Sequence, residues 1–248
     1  MSKIQWKKLF LCYGIVMLMM SGLYGCAAKG DTNVEDANIR KNNTAGDSGE
    51  YIIGDVNAAE KLELDHEYGN VTLSISEDEN IHIKTNADIT DFSKDELNEI
   101  RRNIEVKSQI MGNKCTLKVI HKSEGIELWD WLERERKERN VSVDLEIFIP
   151  SNFSSFDVST DMGTIQISDL DGNMDVDTDN GDINLTLIES ISRKAVIDLE
   201  TSNGNIEINL KNNAIEYSQE EADYIKAKVN GICSLEAEVD NGSVVVVQ

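Results

Sequence analysis

Only one proline, Pro150, occurs in 248 residues, against 16 glycines. Turns therefore fall to Gly and Asn, the usage of a strand-rich protein. Positive charge is scarce too: 24 Lys and Arg stand against 46 Asp and Glu, for a net −22. A nucleic-acid binder presents a basic face, so that class is excluded. Four cysteines cannot frame a disulfide-stapled fold in a chain this long. The three histidines, His66, His82 and His121, are scattered, and none stands at a metal-ligand spacing from a cysteine. The Gly-x-Ser-x-Gly elbow and the phosphate loop are missing, as is the Gly-Gly-x-Gly-x-Asp calcium repeat. Asp175-Val-Asp177-Thr-Asp179-Asn180-Gly181 opens like a calcium loop. An EF-hand needs Gly sixth and Glu twelfth, where this chain has Asn180 and Thr186. Carboxylate pairs are too plentiful to single out an acid and a base. The expectation is a non-enzyme without catalytic residues, metal site or cofactor. A polysaccharide-active enzyme is the third class; it requires a cleft of clustered carboxylates and basic residues.

What is present begins with a basic head, Lys3, Lys7 and Lys8, before an apolar run from Leu9 to Met20. The run suits a secretory signal and is short for a membrane span. It ends in Leu23-Tyr24-Gly25-Cys26-Ala27, which resembles a bacterial lipobox. That resemblance implies removal of residues 1–25, with Cys26 as the first mature residue and lipid anchor. Loss of three lysines would leave a net charge of −25. Residues 26–50 are polar and lack apolar periodicity, the composition of a disordered tether. Such a tether has a root-mean-square reach of about 25–30 Å. Cys12 leaves with the signal; whether Cys115 and Cys233 pair is open at this stage.

From Tyr51 the pattern is that of strands, with Leu62, Leu64, Val71, Leu73, Ile75, Ile81 and Ile83 alternating with polar residues. A partly helical insertion is expected over 88–140. Ser93 and Glu96 form a capping box, with Phe92 and Leu97 placed as its hydrophobic staple. Leu97, Ile100 and Ile104 recur at helical spacing, which predicts a helix over 94–104. Cys115, Leu117 and Val119 read as a strand. The stretch 125–139 carries the helix-supporting pairs Glu133–Lys137 and Glu135–Arg139. Trp129 and Trp131 are read as cover for the side or end of a core rather than as a binding platform. Val141 to Ile149 alternate as a strand that stops at Pro150.

A repeat dominates the remainder. Five copies align on Gly69, Gly163, Gly181, Gly204 and Gly242. Positions seven and five before each glycine, and two and four after it, are apolar in every copy, as in the inward faces of two short strands joined at a corner. The glycine, preceded by Asn in three copies, marks a corner at positive φ. Asn-Gly between strands also signals a hairpin. The 18-residue spacing from Gly163 to Gly181, with a second corner at Asp171-Gly172-Asn173, favours an all-β, flattened parallel β-solenoid. The 38 residues from Gly204 to Gly242 then predict one degenerate rung between them.

The outward positions six, four and two before the glycine are acidic, with Ser159 and Ser202 as the exceptions. Those after it are mostly Asn, Thr and Ser. In-register stacking would make one face an acidic ladder with rungs about 4.8 Å apart. Unit charges at that spacing repel by roughly 0.9 kcal/mol at the dielectric of water. A solvated face that discourages edge pairing explains the pattern. The functional alternative is a docking face for a cationic partner, or for a weakly held divalent cation such as calcium. Its candidate residues are Asp157, Asp161, Asp175, Asp177, Asp179, Asp198, Glu200, Glu236, Glu238 and Asp240.

The run from Val141 to Pro150, followed by T-D-M-G-T-I, T-D-N-G-D-I and T-S-N-G-N-I, resembles the DUF4097 family of adhesin-like bacterial β-repeat proteins. Relatives include adhesin head domains with Gly-Ile-Asn-like repeats and LiaX/LiaF-type envelope-stress proteins. The resemblance spans roughly 51–248 and implies a stacked, parallel β-helical fold outside the membrane, with no catalytic residues to carry over. The expected protein is a lipid-anchored, extracytoplasmic adhesin or binding scaffold of the cell envelope. The runner-up is an envelope-stress sensor whose acidic face receives cationic peptides. Expected partners are the membrane through the anchor, envelope proteins, basic peptides or cell-wall polymers.

Overall fold

The computed structural model describes residues 39–42, 48–135, 141–188, 196–210, 216–221, 223–228 and 234–248. Each repeat copy forms a long strand, a corner and a short strand. The long strands are β3 (Lys61–Tyr68), β10 (Ser155–Met162), β12 (Asn173–Asn180), β14 (Val196–Asn203) and β18 (Ser234–Asn241). Their short partners are β4 (Val71–Ile75), β11 (Ile165–Ser168), β13 (Ile183–Thr186), β15 (Ile206–Asn209) and β19 (Val244–Val247). Long strands pair with long and short with short, always in parallel. The twenty apolar positions point between the two sheets, and all but Ile206 and Ile208 are buried.

Chain order and stacking order differ. The short-strand sheet runs β4-β11-β13-β19-β15, and the long-strand sheet runs β14-β18-β12-β10-β3. The fifth copy is thus inserted between the third and the fourth. Among the described residues, no degenerate rung lies between Gly204 and Gly242. That interval holds an antiparallel hairpin, β16 (Glu216–Glu220) with β17 (Tyr224–Lys228), whose second strand covers β14. Sequence spacing counts residues and cannot distinguish a rung from a hairpin of similar length.

Antiparallel strands also finish other ends of the stack, so both sheets are mixed and the solenoid is not closed. On the short-strand side, β9 (Val141–Ile149) pairs in parallel with β4 and antiparallel with β5 (Ile81–Ile89). Beyond β5 lie β2 (Ser48–Ile53) and β1 (Ile39–Asn42). The expected tether therefore does not extend to residue 50: 39–42 and 48–50 are strand. The pairing of β1 to β2 and of β2 to β5 is made by backbone groups, so a polar sequence with little alternation conceals it.

The insertion is strand as much as helix. The helix α1 (Lys94–Asn103) has the expected capping box, with Ser93 N donating to Glu96 Oε2 at 3.1 Å. Its Ile100 is fully buried, and Phe92 and Leu97 pack on the core. A hairpin of β6 (Ile104–Met111) and β7 (Lys114–His121) follows, and β7 joins the long-strand sheet in parallel with β3. The two-residue β8 (Ile126–Glu127) leads into α2 (Leu128–Arg134). Residues 1–38, with Cys26 and the expected signal, lie outside the described residues. No described helix is long and apolar enough to cross a membrane.

Candidate functional site

The acidic ladder starts from strand alternation. Inward side chains fix the long strands in the core, and pleating turns the intervening residues outward. Parallel register then brings equivalent positions together across the stack. The first column runs Glu63, Asp157, Asp175, Glu236, Asp198. The second runs Asp65, Ser159, Asp177, Glu238, Glu200. The third holds Glu67, Asp161, Asp179, Asp240 and Ser202. All ten candidate residues thus share one face of one sheet, in an order that the inserted fifth copy determines.

Several contacts ease the crowding of charge. Each serine that breaks a column donates to its acidic neighbour: Ser159 Oγ to Asp65 Oδ1 at 3.2 Å, and Ser202 Oγ to Asp240 Oδ1 at 3.3 Å. Lysines stand at both ends of the first column. Lys114 Nζ lies 2.6 Å from Glu63 Oε2, and Lys226 Nζ lies 2.5 Å from Asp198 Oδ2. The carboxylate of Asp198 holds the Lys226 ammonium above its usual pKa. Lys118 pairs with Glu127, and that hydrogen bond raises its pKa likewise. The chain's own lysines thus occupy the two ends of the first column.

A shallow cavity of about 310 Å³ lies along the first column where the long strands begin. Asp157, Asp175, Glu236 and Asp198 line it together with Val196, which is 45 % exposed. Ser234 closes part of its wall, donating through both N and Oγ to Asn173 Oδ1. The second and third columns lie farther along the strands. Among the described residues, no group of three His, Cys, Asp or Glu side chains is arranged to hold a metal ion. Ladder carboxylates stand side by side on separate rungs, whereas a calcium ion needs oxygens converging at 2.3–2.6 Å.

A second polar series runs inside the stack, where the alternation of the repeat does not set it apart. The position three before the corner glycine points inward and holds His66, Thr160, Thr178, Thr201 and Val239, all buried. Thr160 Oγ1 donates to Glu67 O, Thr178 Oγ1 to Gly163 O and Thr201 Oγ1 to Gly242 O, at 3.3, 3.2 and 2.9 Å. His66 Nε2 reaches Val143 O at 2.7 Å. Each therefore satisfies a carbonyl of the neighbouring rung near the corner. The repeated Thr was visible in sequence, but its direction requires counting three inward positions per long strand rather than two. The corner also carries an asparagine ladder: Asn241 Nδ2 donates to Asn180 Oδ1, and Asn203 Nδ2 to Asn241 Oδ1, both at 3.1 Å.

Trp129 and Trp131 are buried, as expected of core cover. Trp129 meets His66 and Tyr68 edge-on at 5.3 and 5.4 Å, and Trp131 stacks on His121 at 4.0 Å. Burial lowers the His66 pKa to about 4 and also lowers that of His121. Among the described residues the buried Cys115 has no disulfide partner, and burial pushes its thiol up to about 12; Cys233 lies outside the described residues.

No protein-family model matches the chain, so the DUF4097 resemblance rests on the residues quoted for it. No curated protein matches it either. Among solved structures, it is similar to a "putative cell adhesion protein" from Clostridium sporogenes, with 16 % identity and a TM-score of 0.44 over 81 % of this chain and 99 % of that one. A "putative adhesin" from Bacteroides fragilis aligns with 12 % identity and a TM-score of 0.27 over 80 % and 95 % of the respective chains. Likeness at these scores carries no argument about function.

Proposed function

We propose that the chain is a non-catalytic binding scaffold or adhesin of the cell envelope, lipid-anchored at Cys26 on the extracytoplasmic side. The observation that carries the binding reading is the in-register acidic ladder, terminated at both ends by the protein's own lysines. A surface that holds Lys114 and Lys226 in this way suits lysine-rich or otherwise cationic partners. Contacts of this type are electrostatic and salt-sensitive, and they favour rapid encounter over tight individual contacts. The lipobox-like Leu23–Cys26 segment supports the anchor, and the DUF4097 resemblance supports the location.

The same lysine contacts favour a second reading, an envelope-stress sensor that receives cationic peptides on this face. Titration of the protein with a lysine-rich peptide and with a neutral polysaccharide tests the binding reading. Saturable, salt-sensitive binding of the peptide is expected, weakened several-fold by the pair Asp175→Asn and Glu236→Gln. Equal peptide binding by the wild type and the neutralised variant would contradict it. Metabolic labelling with a fatty acid tests the anchor: label should enter the wild type and be lost in Cys26→Ser.

A further inference from the structure

The parallel rungs end in four places, two in each sheet. Three of these ends are closed by an antiparallel strand: β6 lies on β7, β17 on β14 and β5 on β9. The fourth is β15, which has β19 on one side and, among the described residues, no strand on the other. Burial registers the difference. The positions equivalent to Ile206 and Ile208 are fully covered in every other rung, at 0 or 1 % exposure for Val71, Leu73, Ile165, Ile167, Ile183, Leu185, Val244 and Val246. Ile206 and Ile208 are only partly buried. We infer that the β15 edge is a strand-addition site for an extended, basic segment of another polypeptide, which pairs antiparallel with a lysine or arginine opposite Glu207.

Among the described residues nothing pairs with the outer edge of Ile206–Asn209, which carries no proline, no lysine and no bulge; its guards are its four-residue length and Glu207, and a basic strand neutralises the second. An added strand with apolar residues at alternate positions would complete the cover of Ile206 and Ile208. The charge of the occupant follows from how the chain closes its own ends. On β5, Lys84 stands in register with Glu146 of β9, with Nζ 3.2 Å from Oε2. On β17, Lys226 stands in register with Asp198 of β14, 2.5 Å away. Two of the three closing strands thus set a lysine against the outward acid of the last parallel strand. On β15 that acid is Glu207, which is exposed. A second copy of this chain fits poorly, because two β15 edges would bring like charges together in molecules of net charge −22. The site is separate from the acidic ladder, which lies on the other sheet, so either can fail without the other.

The test uses the isotope-labelled protein and two capped probes, acetyl-Thr-Val-Lys-Val-Thr-amide and its counterpart with Glu replacing Lys. The lysine probe should bind saturably and slow hydrogen exchange at the backbone amides of 206–209. In Glu207→Lys its affinity should fall by about tenfold and the glutamate probe should gain, the signature of a charge swap. Gln109→Ala, an exposed and uncharged change on β6 at the far end of the other sheet, should leave lysine-probe binding unchanged. Glu207 is exposed and points outward, and the exchange experiment on the wild type reads the same edge without any substitution. The inference is overturned if the lysine probe does not bind saturably, or if it binds Glu207→Lys as well as the wild type. Loss of its binding in Gln109→Ala would also overturn it, as would protection of 206–209 by self-association without a probe.

Discussion

A Cβ placed on Gly181 would sit 1.9 Å from the carbonyl oxygen of Gly163, and one on Gly163 would meet Gly69 O at 2.0 Å. The fifth copy continues the column, with Gly242 against Gly181 O at 1.8 Å and Gly204 against Gly242 O at 1.6 Å. Gly69 and Gly242 adopt positive φ, at 136° and 152°, as the sequence led one to expect. Stacking supplies the stronger constraint, because neighbouring corners approach too closely for any side chain. Gly181→Ala should therefore cost roughly 3 kcal/mol or more in a denaturant melt, at the upper end of single-substitution effects. Gly112 has φ of 64° in the β6–β7 turn but open space around it. Gly112→Ala should cost only about 1–2 kcal/mol, the penalty of the left-handed conformation alone. Equal losses in the two variants would contradict the stacking argument. The repeat's glycine was plain in the sequence; the reason for it required a neighbouring rung at van der Waals distance.

At the scale of elements, α2 behaves as a plug seated on two buried histidines. His66 is fully buried beneath Trp129. His121 stacks on Trp131, and neither of its ring nitrogens has a hydrogen-bond partner among the described residues. Burial holds the folded His66 at a pKa of about 4, against about 6.5 in the unfolded chain. Between those values the unfolded state binds more protons, so stability is full above pH 6.5 and falls as pH drops toward 4. The loss attributable to His66 is roughly 3 kcal/mol. Chemical melts between pH 7 and 4, followed by tryptophan fluorescence, should show that decline, and His66→Gln should flatten much of it. An unchanged slope in His66→Gln would contradict the role given to His66. The capping box, α1 and the strand from Val141 were legible because their signals are local. The β6–β7 hairpin was partly hidden, since the helical spacing of Ile100 and Ile104 ran into a strand that begins at Ile104. The partner of His66 was illegible, because residues 66 and 129 meet only after the insertion folds back.

For the whole molecule, the inward and outward faces of the repeat could be read residue by residue, and the ten candidate acids do share one surface. The order of the rungs could not be read. Nothing in the fifth copy's own pattern states that it enters between the third and fourth; that follows from the β16–β17 hairpin occupying the far side of β14. Cysteine pairs can check this order in a Cys233→Ser background. Asp175→Cys with Glu236→Cys places thiols on neighbouring strands at a Cα separation suited to a disulfide. Asp175→Cys with Asp198→Cys places them two strands apart, about 9.6 Å, which is too far. Mild oxidation should cross-link the first pair and not the second, and the reverse would contradict the order. The stack also determines which charges work together, because the first column passes from Asp175 through Glu236 to Asp198 only when copy five is inserted. The most direct measurement of the binding role is a backbone chemical-shift map of the labelled protein, recorded as a lysine-rich peptide is added. The account predicts that shifts concentrate at Asp157, Asp175, Glu236 and Asp198 and fade as salt is raised. Shifts absent from that column, or centred on the neutral face of the short strands, would contradict it.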